Sequence, residues 1–216
     1  MSTNVTDVES VLTQREISEV RHFTTNRGVA GTLATQYLLS RKQLPEEAYL
    51  EHVFTPNCST RKDVASLDTI SLSISKINAG FFRTCSGNWH KDSDVWWVVL
   101  GIDAGVLAHP GVVFTTTNNI YSNVRRGEGS DGLNALFAEE IRPFIPPPNK
   151  VIYRNDQPNF CPTDPQAEAL YPQRLSTEHL LRIYVLFPEH EEKVAAMMDA
   201  VGHPPVEIKH DPEAFR

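Results

Sequence analysis

Long apolar runs are missing from this chain. Nowhere do its 216 residues contain a window of about eighteen consecutive apolar residues, so no segment reads as a membrane-spanning helix. The basic start and apolar centre of a secretory signal are missing too. The opening "MSTNVTDVESVLTQ" is polar and acidic, which predicts a cytoplasmic protein. Cysteine is scarce: Cys58, Cys85 and Cys161 are an odd set with no C-x-x-C pair, as expected for reduced thiols. A zinc site from Cys58, Cys85 and His90 fits no standard ligand spacing, so no metal is expected. Positive charge is also short. A formal net charge of −7 and a pI near 5.6 count against a protein that coats nucleic acid over its whole surface. They leave room for a local basic groove at Arg41-Lys42, Arg61-Lys62, Arg83 or Arg125-Arg126, each of which also reads as solvated surface charge. Internal repeats and a regular β-α-β alternation are absent, which favours an α+β fold over a doubly wound sheet.

What is present is a mixture of strands and short helices. Residues 1–18 read as a flexible leader, and residues 19–216 as a single domain. "EVRHFTT" has strand character, and Arg27–Leu39 carries apolar residues at helical spacing behind Thr25 or Asn26 as N-cap. Gly28 and Gly31 weaken that helix and so call for a reason. "TISLSIS" alternates strictly and predicts a half-buried strand, and "VWWVVLGID" a central one. "GVVFTTT" reads as a strand, "SDGLNALFAEEI" as a short helix, and the proline-rich 143–166 as loop. Gln166–Tyr171 predicts a strand closed by Pro172, with Glu168 in its middle between Ala167 and Ala169. "HLLRIYVLF" is a strand, Pro188–Val201 a helix ended by Gly202, and "VEIK" an edge strand.

Three stretches carry side chains suited to chemistry. His22 and Thr24 lie two apart on a strand and share a face, offering imidazole and hydroxyl together. Arg61 precedes a strand and can pair with Asp63 or Asp68, or hold phosphate. Glu168 places a carboxylate among small neighbours. Taken singly, each has an ordinary structural reading: a core histidine, an ion pair, a solvent-facing glutamate.

Their order along the chain is more specific. An early H-x-T, a helix running into "YLLSR", a lone arginine, "ISLSI…N", "W-VVLGID", "FTTTNN" and a late "QAE-L" before an apolar strand resemble the DarT-type ADP-ribosyltransferase toxins over residues 20–187. The resemblance implies an ADP-ribosyltransferase-like fold, with mixed and antiparallel sheets around an NAD cleft and flanking helices. It implies transfer of ADP-ribose from NAD to a base of single-stranded DNA. It also implies a toxin of a toxin-antitoxin or phage-defence system, with a macrodomain-type antitoxin as partner. His22, Phe23 and Thr24 would lie on the nicotinamide side, the Phe23 backbone holding the carboxamide, with Gly31 and Leu39 helping to form the cleft. Arg61 would sit by the phosphates and the target base, and Glu168 would be the catalytic glutamate. Asn78, Asn119, Arg125, Arg126 and Trp89 would border the nucleic acid.

The chemistry accounts for these residue types. NAD is a glycoside, and breaking its nicotinamide bond builds positive charge on the ribose. A carboxylate beside that charge stabilises it selectively. Glu140, in "FAEE", is the rival carboxylate, although Glu139 and Glu140 read as surface charge. Trp96 and Trp97 are expected on opposite faces of their strand, leaving Trp89 as the better base-stacking candidate. Two other readings keep the same residues: an RNA or protein acceptor, and a nucleotide-binding module without turnover.

Overall fold

A computed structural model describes residues 7–44, 68–89, 94–121, 123–143 and 150–216. The first element is a helix, α1 (Val8–Arg15). Strand β1 (Glu19–Thr25), helix α2 (Asn26–Thr35) and the short β2 (Tyr37–Leu39) follow. Next come β3 (Thr69–Ile74), α3 (Ala79–Thr84), β4 (Trp97–Asp103), β5 (Val113–Thr115), β6 (Arg126–Glu128), α4 (Gly129–Ala135), β7 (Glu140–Ile141) and β8 (Ile152–Tyr153). The chain closes with β9 (Glu168–Pro172), β10 (Arg174–Ser176), β11 (Leu180–Val185), α5 (Glu189–Val201) and β12 (Glu207–His210).

Eight strands form one sheet in the order β12-β11-β4-β1-β3-β9-β5-β6. Its pairings are antiparallel except β11 with β12, so the sheet is mixed and the class is α+β. Alternation sorts each strand's residues between two faces. Val20, Leu72, Ile74, Leu100, Ile102, Phe114, Ala169 and Ile183 join the main core with residues of α1, α2, α4 and α5. The opposite face is apolar on one side only, where Val99 and Tyr184 pack with Phe23, Trp97, Phe82 and Phe215. Around β3 and β9 that second face carries Ser71, Ser73 and Glu168, with the buried Leu170 beside them.

Several expectations need correction. Residues 8–17 are not a flexible leader. Asp7 caps α1 by accepting the Ser10 N–H at 2.7 Å, and Val8, Val11, Leu12 and Ile17 enter the main core. That stripe at i, i+3, i+4 is too short to stand out from its polar surroundings in sequence. Helix α2 stops at Thr35, where Gln36 turns left-handed (φ 59°), and Tyr37–Leu39 pairs with β10. Helix α4 ends at Ala135, and Glu140–Ile141 pairs with Ile152–Tyr153 inside the stretch read as loop. Strand β5 ends at Thr115. Thr116 is held instead by Arg125, its N–H reaching the Arg125 carbonyl at 3.1 Å. Glu168 opens β9 rather than sitting mid-strand. Each correction follows from pairing with a distant segment, which local propensity does not register. The last helix matches its sequence signals, with Pro188 before it, glutamates in its first turn and Gly202 (φ 66°) after it.

One close approach holds the sheet edge. A Cβ on Gly132 of α4 would overlap the Gly127 carbonyl of β6, and a Cβ on Gly127 would lie 2.9 Å from the Gly132 Cα. Backbone there cannot yield as a side-chain tip can. Gly132→Ala is expected to destabilise the protein by about 2 kcal/mol through overpacking, read as a lowered Tm. Leu12→Ala, at a residue only 6% exposed, is expected to cost about 2–4 kcal/mol. An unchanged Tm in Leu12→Ala would show that α1 does not contribute to the core.

Candidate functional site

The strand register aligns one row of residues across the polar part of the sheet. Arg21 opposes Ser73, Ser73 opposes Glu168, Glu168 opposes Thr115, and Thr115 opposes Arg126. Directly opposed residues share a face, so this row lies on the same face as Phe23. Adjacent strands lie about 4.8 Å apart, which puts Glu168 about 10 Å across the sheet from Arg21.

Beside this row the sheet opens. Strand β1 pairs with β4 along all of Glu19–Thr25, but with β3 only at Val20 and Arg21. The Ser75 N–H donates to the Glu19 carbonyl at 3.1 Å, which sets the phase: odd-numbered residues of β1 turn their peptide groups toward β3. In a continued ladder Phe23 would therefore bond Ser71. Instead the Ser71 carbonyl takes the His22 imidazole, with Nδ1 at 2.9 Å. The Phe23 N–H and C=O are left facing the gap with no ladder partner in β3. The phenyl ring of Phe23 anchors this backbone, packed against Phe81, Phe82 and Trp97 at centroid distances of 5.8, 5.4 and 5.7 Å.

His22 has a defined chemical state. A carbonyl can only accept, so Nδ1 carries the hydrogen and Nε2 of the neutral ring is an acceptor. Burial pushes the imidazole below its ordinary 6.5, with the Ser71 carbonyl working in the opposite direction. Thr24 explains one of the two glycines: a Cβ on Gly28 would overlap the Thr24 hydroxyl, while Thr25 caps α2 by accepting the Gly28 N–H at 3.2 Å. Gly31 and Leu39 are both half-buried, Leu39 in β2 opposite Arg174.

Glu168 is half-buried at the start of β9, and its Oε1 accepts the Asn119 backbone N–H at 3.0 Å. Arg126 forks onto the buried Asn119, its Nε 2.8 Å from Oδ1 and its Nη2 2.8 Å from the carbonyl oxygen. The segment entering β9 is tied to the same loop. Asp164, fully buried, accepts the Thr117 hydroxyl at 2.5 Å and the Gln166 N–H at 2.9 Å. The Tyr121 hydroxyl donates to Gln166 Oε1 at 2.9 Å.

The structure thus joins Glu168, Asn119 and Arg126 by hydrogen bonds on the face that also carries Phe23, while His22, of the opposite parity in β1, reaches into the gap between β1 and β3. Arg61 lies outside the described residues, as do Cys58, His90 and the side chain of Trp89. Asn78 caps α3, its Oδ1 accepting the Phe81 N–H at 3.0 Å. Arg125 is exposed next to the loop. Trp96 stacks on His190 at 4.0 Å while Trp97 joins the Phe23 cluster, the division between faces that their adjacency predicts. Glu139 and Glu140 are exposed, and Glu140 pairs with Arg142 at 3.0 Å, which removes the rival carboxylate from the site. Cys85 and Cys161 are buried.

Sequence reading missed two groups. Arg21 bonds Glu19 at 2.8 Å, and the Tyr184 hydroxyl lies 3.0 Å from both Glu19 oxygens. The one signal was the ionisable pair two apart on a strand. Asp164 had no signal, since its partner Thr117 is remote in sequence.

Known proteins share this fold. One protein family, described as ssDNA thymidine ADP-ribosyltransferase, DarT, matches residues 21–216. No curated protein matches the chain by sequence. Among solved structures, Thermus sp. 2.9 DarT in complex with NAD+ is similar at a TM-score of 0.65 and 15% identity, over 93% of this chain and 98% of that one. The same protein in complex with ADP-ribosylated ssDNA gives a TM-score of 0.65 and 15% identity, over 93% and 97%. Thermosipho africanus DarTG in complex with ADP-ribose gives 0.62 and 14%, over 92% of this chain and 51% of that one. At such identities the structural likeness speaks for the fold. Because the family match spans nearly the whole chain, and an acid stands beside an opened strand pair on that fold, the chain belongs to the DarT family and is an NAD-dependent ADP-ribosyltransferase.

Proposed function

We propose that this enzyme moves ADP-ribose from NAD onto thymidine in single-stranded DNA, with Glu168 as its catalytic carboxylate. The observation that carries the site assignment is the lapsed β1–β3 ladder. It leaves the Phe23 peptide groups turned to the gap, two strands across the sheet and two residues along it from Glu168, about 12 Å away. An outward N–H and C=O on one residue match a carboxamide, which needs one acceptor and one donor. The Nε2 of neutral His22 can accept from a ribose hydroxyl. Glu168 then lies where positive charge grows on the ribose as the nicotinamide bond breaks, and a carboxylate held there stabilises the transition state more than the ground state.

The acceptor strand enters by the loop at Asn119, with Arg125 and the amide N–H groups of Asn78 along its border. Arg61 keeps its expected place at the phosphates as part of the proposal, and its charge there would act by electrostatic positioning. A base-modifying enzyme of this kind endangers its own host. A macrodomain-type antitoxin that removes the mark is the proposed partner, and DarTG of Thermosipho africanus, about half of whose chain this one matches, supports that pairing. Among the described residues no helix is long and apolar enough to cross a membrane, and we place the enzyme in the cytoplasm.

Mass spectrometry of oligonucleotides incubated with NAD tests the reading. A gain of one ADP-ribose is expected on thymidine-containing single strands, and not on thymidine-free strands, duplex or RNA. Glu168→Gln is expected to lower kcat by about 10²–10³; undiminished transfer in that variant would sink the assignment of Glu168. The pH dependence has a definite sign. Because the folded His22 pKa lies below its ordinary 6.5, the neutral acceptor form is complete at pH 7 and above and is lost as pH falls through the folded value. KM for NAD is expected to be flat from pH 8 to 6.5 and to rise below it. In His22→Gln that acid-side rise should disappear.

A further inference from the structure

The Arg126 guanidinium reads in sequence as a nucleic-acid contact, but its geometry serves another purpose. Among the described residues it makes two hydrogen bonds, both to Asn119, whose own N–H donates to Glu168. We propose that Arg126 is a positioning residue for Glu168, acting through Asn119, and that turnover, not DNA affinity, depends on it. The inference rests on the reading of Glu168 as the catalytic carboxylate.

A glutamate at the first residue of a strand has long side-chain freedom and no preceding ladder residue to restrain it. The bond from Asn119 to Oε1 removes part of that freedom, but a loop N–H is only as fixed as its loop. Asn119 lies between β5 and β6, in neither helix nor strand. Arg126 adds a directional restraint, because a planar fork that grips a side-chain oxygen and a main-chain oxygen together sets both position and orientation.

The connection closes on itself. Arg126 opposes Thr115 in the ladder, and Thr115 opposes Glu168, with its hydroxyl 3.2 Å from the Glu168 carbonyl oxygen. One route from Arg126 to Glu168 therefore runs through the sheet, and the other through Asn119. A ring of this kind cannot be deformed at one member without straining the others. Its outer member sits on a three-residue edge strand, and that strand is held by the backbone approach of Gly127 to Gly132. Two further bonds, Thr117 to Asp164 and Tyr121 to Gln166, fasten the loop on either side of Asn119. A small displacement of a catalytic group is costly, since reaction requires a near-attack geometry.

The test measures kcat, KM for NAD, and the Kd for a thymidine-containing single strand across a salt series, in the full chain, for Arg126→Gln, Arg126→Lys and Glu168→Gln. Rates are normalised to the folded fraction counted by NAD-binding stoichiometry. Arg126→Gln is expected to lower kcat about 10- to 100-fold, leaving KM for NAD, Kd and the salt slope within twofold. Arg126→Lys should recover little, because an ammonium is a point charge and cannot fork. Asn119→Ala, which keeps the main-chain N–H, serves as the second variant. Combined with Arg126→Gln it should add no further loss, as members of one unit do not add. The positioning role is overturned if Arg126→Gln turns over normally while Kd weakens and the salt slope falls by about one, the mark of a phosphate contact. It is overturned equally if the two losses simply add. Glu168→Gln separates the levels: loss there with normal kcat in Arg126→Gln removes only the positioning role. Full turnover in Glu168→Gln removes the underlying functional reading, and the positioning role with it.

Discussion

A single hydrogen bond, from the His22 imidazole to the Ser71 carbonyl, marks where the sheet stops being a scaffold and becomes a site. Up to Arg21, β1 and β3 are ordinary ladder partners. One residue further, the side chain of β1 takes the acceptor that its own backbone would have used. Buried peptide groups are costly to leave unpaired, so an opened ladder needs a substitute partner on each side. His22 supplies it for β3. For β1, the Phe23 peptide groups stay turned to the gap, and the proposed function sets the nicotinamide carboxamide against them. The ring of Phe23, wedged among Phe81, Phe82 and Trp97, keeps that backbone from closing the gap.

The other half of the site is built by the opposite means. Where β1 opens, the loop beyond β5 is fastened down: Thr117 to Asp164, Tyr121 to Gln166, Asn119 to Glu168, and Arg126 across Asn119. These bonds tie the loop to β9 and β6 and fix where Glu168 stands. An enzyme with a net charge of −7 that handles two polyanionic partners gains from this arrangement. Around Glu168, Arg126 and Asp164 have fixed local partners, so this part of the site does not rely on a general positive field.

Legibility in the sequence followed the range of the interaction. The strands whose alternation or apolar continuity is local, around "EVRHFTT", "TISLSIS" and "VWWVVLGID", appear in the structure nearly as read. So does α5, whose proline, glutamates and Gly202 all act within a few residues. The errors came at segments that commit to distant partners. Tyr37–Leu39 left the helix for β10, Glu140–Ile141 left its helix for β8, and α1 was invisible because three apolar residues in a polar stretch mean nothing until a core receives them. Among candidate site residues, His22 and Glu168 could be named because imidazole and carboxylate declare their chemistry by type. Asp164 and Glu19 could not, since a buried acid is distinguished from an exposed one only by what surrounds it.

Residue order alone pointed to the family, the reaction class and the acid to suspect, because the short motifs are informative as an ordered set although no single one is decisive. Tertiary structure alone decided how those residues work. The register put Glu168 in line with Arg21, Ser73, Thr115 and Arg126. The lapse of one ladder turned the Phe23 backbone to the gap, and folding set the exposed Arg126 with both its bonds on Asn119. The physical reason is directional: a hydrogen bond depends on where two groups point, and that is settled only when strands from opposite ends of the chain lie side by side.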